Sequence, residues 1–142
     1  MRWEVVGVTD TAGDHAEWTF PADPGAVRAA RGEVRRQLHG WDLDRVGDLA
    51  ALLVSELVTN ALRHATGPIG VRLVRPDARS AADGVLLVEV SDPLPYPPRE
   101  RAARPDDESG RGLQLVASTT RRWGTRLGET GKTVWFELTV PG

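Results

Sequence analysis

The segment from residue 44 to about residue 65 constrains the fold most, because it is the longest stretch that keeps one hydrophobic period. Its apolar residues recur every three or four positions, at Val46, Leu49, Leu53, Leu57, Ala61 and Ala65. This spacing predicts an amphipathic helix with one buried face. Asp42 or Asp44 can cap its start, and Gly67-Pro68 closes it. The chain is therefore expected to contain a long helix whose apolar stripe faces a core.

Shorter patterns place the other elements around this helix. Asp23-Pro24 is typical of a helix start, and the helix is predicted to run to about Leu38. Runs of apolar and alternating residues predict strands at 18–20, 69–74, 85–90, 122–127 and 133–140, and a short helix at 113–119. This order predicts an α/β two-layer sandwich: a mixed, mostly antiparallel sheet with helices on one face.

The length of 142 residues fits one domain. Residues 1–15 are interpreted as an N-terminal arm or edge strand, and residues 16–142 as the single domain. Five prolines between residues 93 and 109 exclude a regular element there. Long loops in compact domains are usually functional or disordered.

Composition argues against several classes of protein. The formal net charge is −2 and Lys132 is the only lysine, whereas nucleic-acid binders usually carry a basic face. The chain has no cysteine, which excludes disulfides and thiolate metal sites. No apolar run is long enough to cross a bilayer, and the start of the chain shows no secretory signal. We therefore expect a cytoplasmic protein with no membrane and no direct nucleic-acid partner.

Glu56 and Asn60 are the first candidates for chemistry, because they lie one turn apart on the same side of the long helix. Carboxylate and amide oxygens suit Mg²⁺, which needs only one or two protein ligands when phosphates supply others. Glu56 could also accept a proton from a hydroxyl. A Glu and an Asn at this spacing are, taken alone, more often a solvated pair. His64 follows at the next turn and is interpreted as a helix-end residue or a residue of the same face.

Two further candidates come later in the chain. Asp92 ends an apolar strand, where a carboxylate can accept a hydrogen bond from an exocyclic amine; a turn aspartate before proline is the alternative. Gly110-Arg111-Gly112-Leu113 is predicted to form a turn before a helix, where backbone N–H groups can bind an anion. A flexible turn without ligand is the alternative.

The segment 128–133, Gly-Glu-Thr-Gly-Lys-Thr, ends like a phosphate-binding P-loop. That motif requires glycine at position 126, which is Arg126, and a helix afterwards, where a strand is predicted. A hairpin turn is therefore the better interpretation.

Together and in this order, the motifs resemble the ATP-binding boxes of the GHKL superfamily. They are Glu56–Ala61, Asp92 after a strand, Gly110–Leu113, and Gly131–Phe136. The sequence is most similar to the stand-alone bacterial anti-sigma factor serine/threonine kinases and their actinobacterial relatives. The resemblance covers roughly residues 16–140 and implies the Bergerat fold with a lid loop at 93–109.

The resemblance also implies roles for individual residues. Asn60 would bind Mg²⁺, Glu56 would be the general base, and Asp92 would accept from the adenine amine. Gly110 and Gly112 would let the loop close over the phosphates of ATP. Thr133 would stand near the adenine end of the site. The implied nucleotide-binding set is Asn60, Arg63, His64, Asp92, Leu94, Ser109, Gly110, Arg111, Gly112, Leu113 and Thr133.

One departure from the family pattern follows Asp92. Relatives often have Asp-x-Gly-x-Gly there, whereas this chain has Asp92-Pro93-Leu94-Pro95-Tyr96. Prolines in place of glycines change the expected shape and mobility of the lid. This leaves open a module that binds ATP but transfers no phosphate, or a scaffold that has lost nucleotide binding.

The resemblance implies partners as well. The leading hypothesis is a serine/threonine kinase that binds a sigma factor and is released by an anti-anti-sigma protein, with a homodimer as a further possibility. A histidine kinase would need a dimerisation helix with a phospho-acceptor histidine, and a gyrase-type ATPase a transducer domain. The sequence shows neither pattern.

Overall fold

The computed structural model describes residues 15–64, 67–75, 84–93, 108–128 and 131–140, and these ranges contain three helices and five strands. In chain order they are β1 (His15–Phe20), α1 (Gly25–Gly40), α2 (Asp44–His64), β2 (Ile69–Val74), β3 (Gly84–Asp92), α3 (Glu108–Thr119), β4 (Arg122–Leu127) and β5 (Lys132–Val140). The predicted arm at residues 1–15 lies outside the described residues except for His15, which opens β1. The predicted order of elements is confirmed.

Local sequence explains how α1 begins and ends. The Asp23 carboxylate accepts a hydrogen bond from the Gly25 N–H at 2.8 Å, so it satisfies one of the free amides at the helix start. Pro24 already has helical dihedral angles. After α1, Asp42 adopts a positive φ of 59°, a conformation that aspartate tolerates better than most residues. This tight turn lets α1 fold back onto α2.

The five strands form one sheet in the order β1-β2-β3-β5-β4. Every pair of neighbours in it is antiparallel. The fold class is confirmed, but the expected mixed sheet is not, because no parallel pair occurs among the described strands. β3 and β4 run in the same direction on either side of β5 and are joined through α3. The hairpin partner β5 therefore fills the place where a parallel neighbour would lie.

The two faces of the sheet have different surroundings. On one face, alternate residues of the strands are buried under the helices, among them Trp18, Val71, Val88 and Phe136. Together with Ala30, Val34, Leu38, Leu53, Val54 and Val58 of the helices they form the hydrophobic core. The opposite face carries polar and charged residues. A side chain's position in the alternation therefore decides whether it meets the helices or the open face.

The segment that resembled a P-loop is a hairpin. β4 and β5 pair from Leu127 opposite Lys132 to Arg122 opposite Glu137. The Gly128 N–H donates to the Gly131 carbonyl at 2.7 Å and closes the turn. A strand, β5, follows the turn where a P-loop would need a helix, so the predicted hairpin is confirmed. Among the described helices, none combines the length and apolar character that crossing a membrane requires.

Candidate functional site

Glu56 and Asn60 lie on α2 at the border between its buried stripe and solvent. Their neighbours Leu57 and Ala61 are buried, whereas Glu56 and Asn60 are each half-buried. Within the described part of the chain, neither side chain makes a hydrogen bond or ion pair. The nearby hydroxyl of Thr59 instead donates to the Ser55 carbonyl at 2.7 Å, one turn earlier in the helix. The oxygens of Glu56 and Asn60 are therefore available to a ligand.

Asp92 is the second component of the site, at the end of β3. It is the Cα partner of Lys132, the first residue of β5. The Lys132 Nζ lies 3.1 Å from Asp92 Oδ2, and the two side chains are only 8% and 4% exposed. Val88, Val90 and Asp92 are alternate residues of β3 and therefore share one face of the sheet. Val88 and Val90 belong to the core, so the ion pair is on the helix side. Removal from water is tolerated because each charge neutralises the other.

Two glycines bring α2 and Asp92 to the same end of the sheet. A Cβ at Gly131 would collide with the backbone carbonyl of Asp92, and a Cβ at Gly67 would come within 2.7 Å of the Pro93 ring. Gly67 is three residues beyond the end of α2 at His64, and α2 packs against β3, β5 and α3. The C-terminal part of α2, with Asn60, therefore lies towards the end of the sheet that carries Asp92.

The structure corrects the predicted glycine turn. Ser109, Gly110, Arg111, Gly112 and Leu113 belong to α3, which begins at Glu108, instead of forming a turn before a helix at Leu113. Each glycine disfavours a helix by only about 1 kcal/mol. That cost does not prevent helix formation where the helix packs through the fully buried Val116. The first four N–H groups of a helix lack intrahelical partners, so the helix start can still bind an anion.

The predicted lid is described only at its two ends. Pro93 follows β3, and residues 108–109 are already helical. Leu94, which was expected to contact the nucleotide, lies outside the described residues, as do residues 95–107. The lid prediction for 93–109 is therefore shortened by the helix at its C-terminal end.

Thr133, which is expected near the adenine end of the site, is the second residue of β5. Its hydroxyl is hydrogen-bonded to the Ser91 hydroxyl at 2.8 Å. Both residues are one position removed from the Asp92–Lys132 pair, so they face the opposite side of the sheet. Lys132, not Thr133, is the β5 residue beside Asp92. Counting alternate positions back from the core residue Phe136 would have found this from the sequence.

The end of α2 holds the remaining predicted residues. Arg63 is exposed on the last turn and makes a further interaction. His64 ends the helix. Both follow Asn60 by one turn, as the helical spacing predicted.

The open face of the sheet carries a charged cluster that no sequence pattern predicts. Glu89 of β3 is 5% exposed. Its carboxylate accepts a hydrogen bond from Arg72 at 3.0 Å and another from Arg126. These residues, with Glu17, Ser91 and Thr133, line a groove of about 490 Å³. In the sequence, a single glutamate inside the apolar run 85–90 is the one sign of this cluster. Its partners Arg72 and Arg126 belong to β2 and β4 and are far from it along the chain.

Comparison with known proteins decides the family. A family model described as the histidine kinase-like ATPase domain matches residues 20–138. The chain belongs to the histidine kinase-like ATPase family. The matched range includes α2, Asp92, α3 and most of β5, and thus every part of the candidate site. A search of the curated proteins finds no match.

Among solved structures, the ATPase family member resembles the histidine kinase domain of the blue-light activated histidine kinase from Erythrobacter litoralis EL346. The two sequences are 18% identical, with a TM-score of 0.46. The match covers 96% of this chain and 66% of that one, so this chain spans slightly under two thirds of that domain. The fold assignment rests on the family model and on the sheet itself.

Domains of the histidine kinase-like ATPase family bind ATP, usually with Mg²⁺, and the family match supports ATP binding by this chain. The residues present fit both groups. Asn60 and Glu56 offer oxygen atoms of the kind that Mg²⁺ prefers. Asp92 offers a buried carboxylate to an exocyclic amine, and the start of α3 offers backbone N–H groups to phosphate.

Proposed function

We propose that this protein binds Mg-ATP and transfers its γ-phosphate to a serine or threonine of a partner protein. The supporting observation is the pair Glu56 and Asn60, whose oxygens have no partner in the described part of the chain although they lie beside the core. Such groups at the edge of a buried helix face are available to a ligand. In this proposal Asn60 holds the metal, which offsets the charge of the phosphates.

Glu56 is the general base in the proposed reaction. Its carboxylate takes the proton of the acceptor hydroxyl while that oxygen forms a bond to the γ-phosphorus and the bond to the leaving ADP breaks. Asp92 fixes the base end of the nucleotide. The first turn of α3 lies at the phosphate end.

The proposed role in the cell is that of a cytoplasmic anti-sigma factor kinase. The protein binds a sigma factor as one partner and phosphorylates an anti-anti-sigma protein as the other, so that phosphorylation switches the partners. A homodimer is compatible with this role. These features come from the sequence motifs and not from the geometry.

ATP binding is tested by thermal unfolding of the protein with and without Mg-ATP. A ligand at 100 times its Kd stabilises the folded state by about 2.7 kcal/mol, which for a domain of this length raises Tm by roughly 8 °C. The shift should require magnesium and should disappear in Asn60→Ala. A control variant, Glu33→Gln on α1, where the half-buried carboxylate contacts Arg36 outside the candidate site, should keep it. Absence of any shift in the wild type at millimolar ATP would contradict the proposal.

Phosphate transfer is tested separately with Glu56→Gln. This variant keeps the size of the side chain, so it should bind Mg-ATP normally while transfer of labelled phosphate to the acceptor protein falls at least about 100-fold. Transfer at the wild-type rate would show that Glu56 is not the base.

A second function is favoured by the sequence after β3, where Pro93 and Pro95 stand in place of the glycines common in relatives. In this alternative the protein binds ATP and regulates its partner by binding alone. Wild-type protein that binds Mg-ATP tightly, but leaves it unhydrolysed and untransferred in the presence of the partner, would support this alternative.

A further inference from the structure

The only lysine in the chain is Lys132. It begins β5 and contacts Asp92, which ends β3, so the two residues form one corner of the sheet. All other basic side chains except the histidines are arginines, and several of them lie at the surface. Arginine carries a planar fork of donors, whereas lysine carries a compact ammonium with three rotatable N–H groups. The corner where β3 ends and β5 begins therefore holds the one ammonium side chain in the sequence.

Burial makes this corner unusual for an ion pair. Lys132 and Asp92 are 8% and 7% exposed as residues, on the helix side of the sheet. A buried ion pair often adds no stability over an apolar pair of similar volume, because both charges must leave water. Stability alone therefore gives little reason for a lysine and an aspartate at this place.

We propose that Asp92 and Lys132 together recognise the edge of the adenine ring. Asp92 accepts a hydrogen bond from the 6-amino group, and the Lys132 ammonium donates one to the neighbouring ring nitrogen N1. This inference rests on the proposed function, since it assigns a specificity-determining residue to the same nucleotide site.

The chemistry of the pair supports this assignment. A carboxylate has about four acceptor positions, so Asp92 can accept from Lys132 and from an amine together. The ammonium has three N–H groups and uses one towards Asp92. The pair thus presents an acceptor beside a donor. Adenine presents the matching order, a donor amine beside the acceptor N1, whereas guanine presents the reverse order at the same two positions.

The position on β5 is also specific. Thr133, the next residue, is on the opposite face with its hydroxyl on Ser91. Leu127, the cross-strand neighbour of Lys132, is apolar. Among the described residues of the β4–β5 hairpin that lie at this end and face the helices, Lys132 is the one that can donate a hydrogen bond to a base.

The first experiment needs no mutation. Dissociation constants of the wild-type protein are measured by calorimetry for Mg complexes of ATP, 1-deaza-ATP, 7-deaza-ATP and GTP. Replacing N1 by a carbon removes the acceptor for Lys132, so 1-deaza-ATP should bind at least about tenfold more weakly than ATP. 7-Deaza-ATP keeps the N1 edge and should bind like ATP, while GTP should bind weakly.

The second experiment uses Lys132→Met, with Thr139→Val on the exposed part of the same strand as the matched control. If Lys132 contacts N1, Lys132→Met binds ATP and 1-deaza-ATP equally, whereas Thr139→Val keeps the tenfold preference. A lysine that only neutralises Asp92 would instead weaken both ligands by the same factor and leave the preference intact. Circular dichroism establishes that each variant is folded.

The outcomes separate this inference from the proposed function. Tight ATP binding with no loss for 1-deaza-ATP in the wild type overturns the role of Lys132 and leaves ATP binding in place, even if Lys132→Met does not fold. Failure of every nucleotide to bind overturns both.

Discussion

Replacing Glu89 with methionine should cost the protein much less stability than removing the two arginines that bind it. The Glu89 side chain is 6% exposed, whereas Arg72 and Arg126 are 43% and 58% exposed. If the glutamate is lost, each guanidinium can return to water. If both arginines are lost, a charged carboxylate remains buried without a partner. The two perturbations break the same contacts but leave different charges behind.

The expected magnitudes follow from these exposures. At an effective dielectric constant of about 20, a carboxylate–guanidinium attraction is worth at most about 4 kcal/mol at roughly 4 Å between charge centres. It is much weaker here, because both guanidinium groups are about half exposed and water screens them. The buried carboxylate costs several kcal/mol in desolvation, which Glu89→Met removes together with the attraction. This variant should therefore change the free energy of unfolding by about 1 kcal/mol or less. Arg72→Met with Arg126→Met should cost about 3–5 kcal/mol.

The pH dependence of the free energy of unfolding provides an independent check of the prediction for the double arginine variant. Protonating a glutamate costs about 4 kcal/mol at pH 7 and about 1 kcal/mol at pH 5. Because the buried carboxyl of the variant takes up a proton more readily in the folded than in the unfolded state, the variant should gain stability relative to wild type as pH falls.

Urea unfolding at about pH 7 and about pH 5 measures both effects, with Arg36→Met on the surface of α1 as a control for the loss of an arginine. An equal loss of stability in the Glu89 variant and the double arginine variant would refute the reasoning. So would a destabilisation of the double variant that is the same at both pH values.

Two further predictions concern backbone and charge. Gly131→Ala should lower Tm strongly and weaken ATP binding, because its Cβ would collide with the carbonyl of Asp92. Gly32→Ala is the control: a Cβ there meets no atom, so this variant should stabilise the protein by about 0.5–1 kcal/mol in thermal unfolding. A hydrogen bond to Asp44 and the charge of that carboxylate raise the pKa of His39. The contact should therefore stabilise the wild type relative to His39→Gln at about pH 5.5, and the advantage should be lost as pH rises through the raised pKa to about pH 8.5; equal differences at both pH values in urea unfolding would contradict this.

Local patterns predicted the elements well because helical and strand periods depend on neighbouring residues. The stripe from Val46 to Ala61 predicted α2 almost to the residue, and alternation predicted β2. The start of α3 was misplaced, since Gly110 and Gly112 argue locally for a turn. Packing of α3 through Val116 outweighs that small preference.

In the candidate site, too, local sequence places some residues and tertiary structure places the others. Glu56 and Asn60 could be placed together from the sequence alone, because a helix turn brings residues four apart to one side. The hairpin at Gly128–Gly131 and the family motifs were equally readable. What the sequence determined by itself is therefore the local content of the protein: its elements, their buried faces and the short motifs within each.

Tertiary structure alone decided which elements are neighbours. Strand order inserts β5 between β3 and β4, and this places Lys132 against Asp92 on one face and Arg126 against Glu89 on the other. No local pattern encodes these pairs, because strand pairing joins residues far apart in the chain and its register sets the face of every side chain. The partners of the buried charges became known only with the sheet.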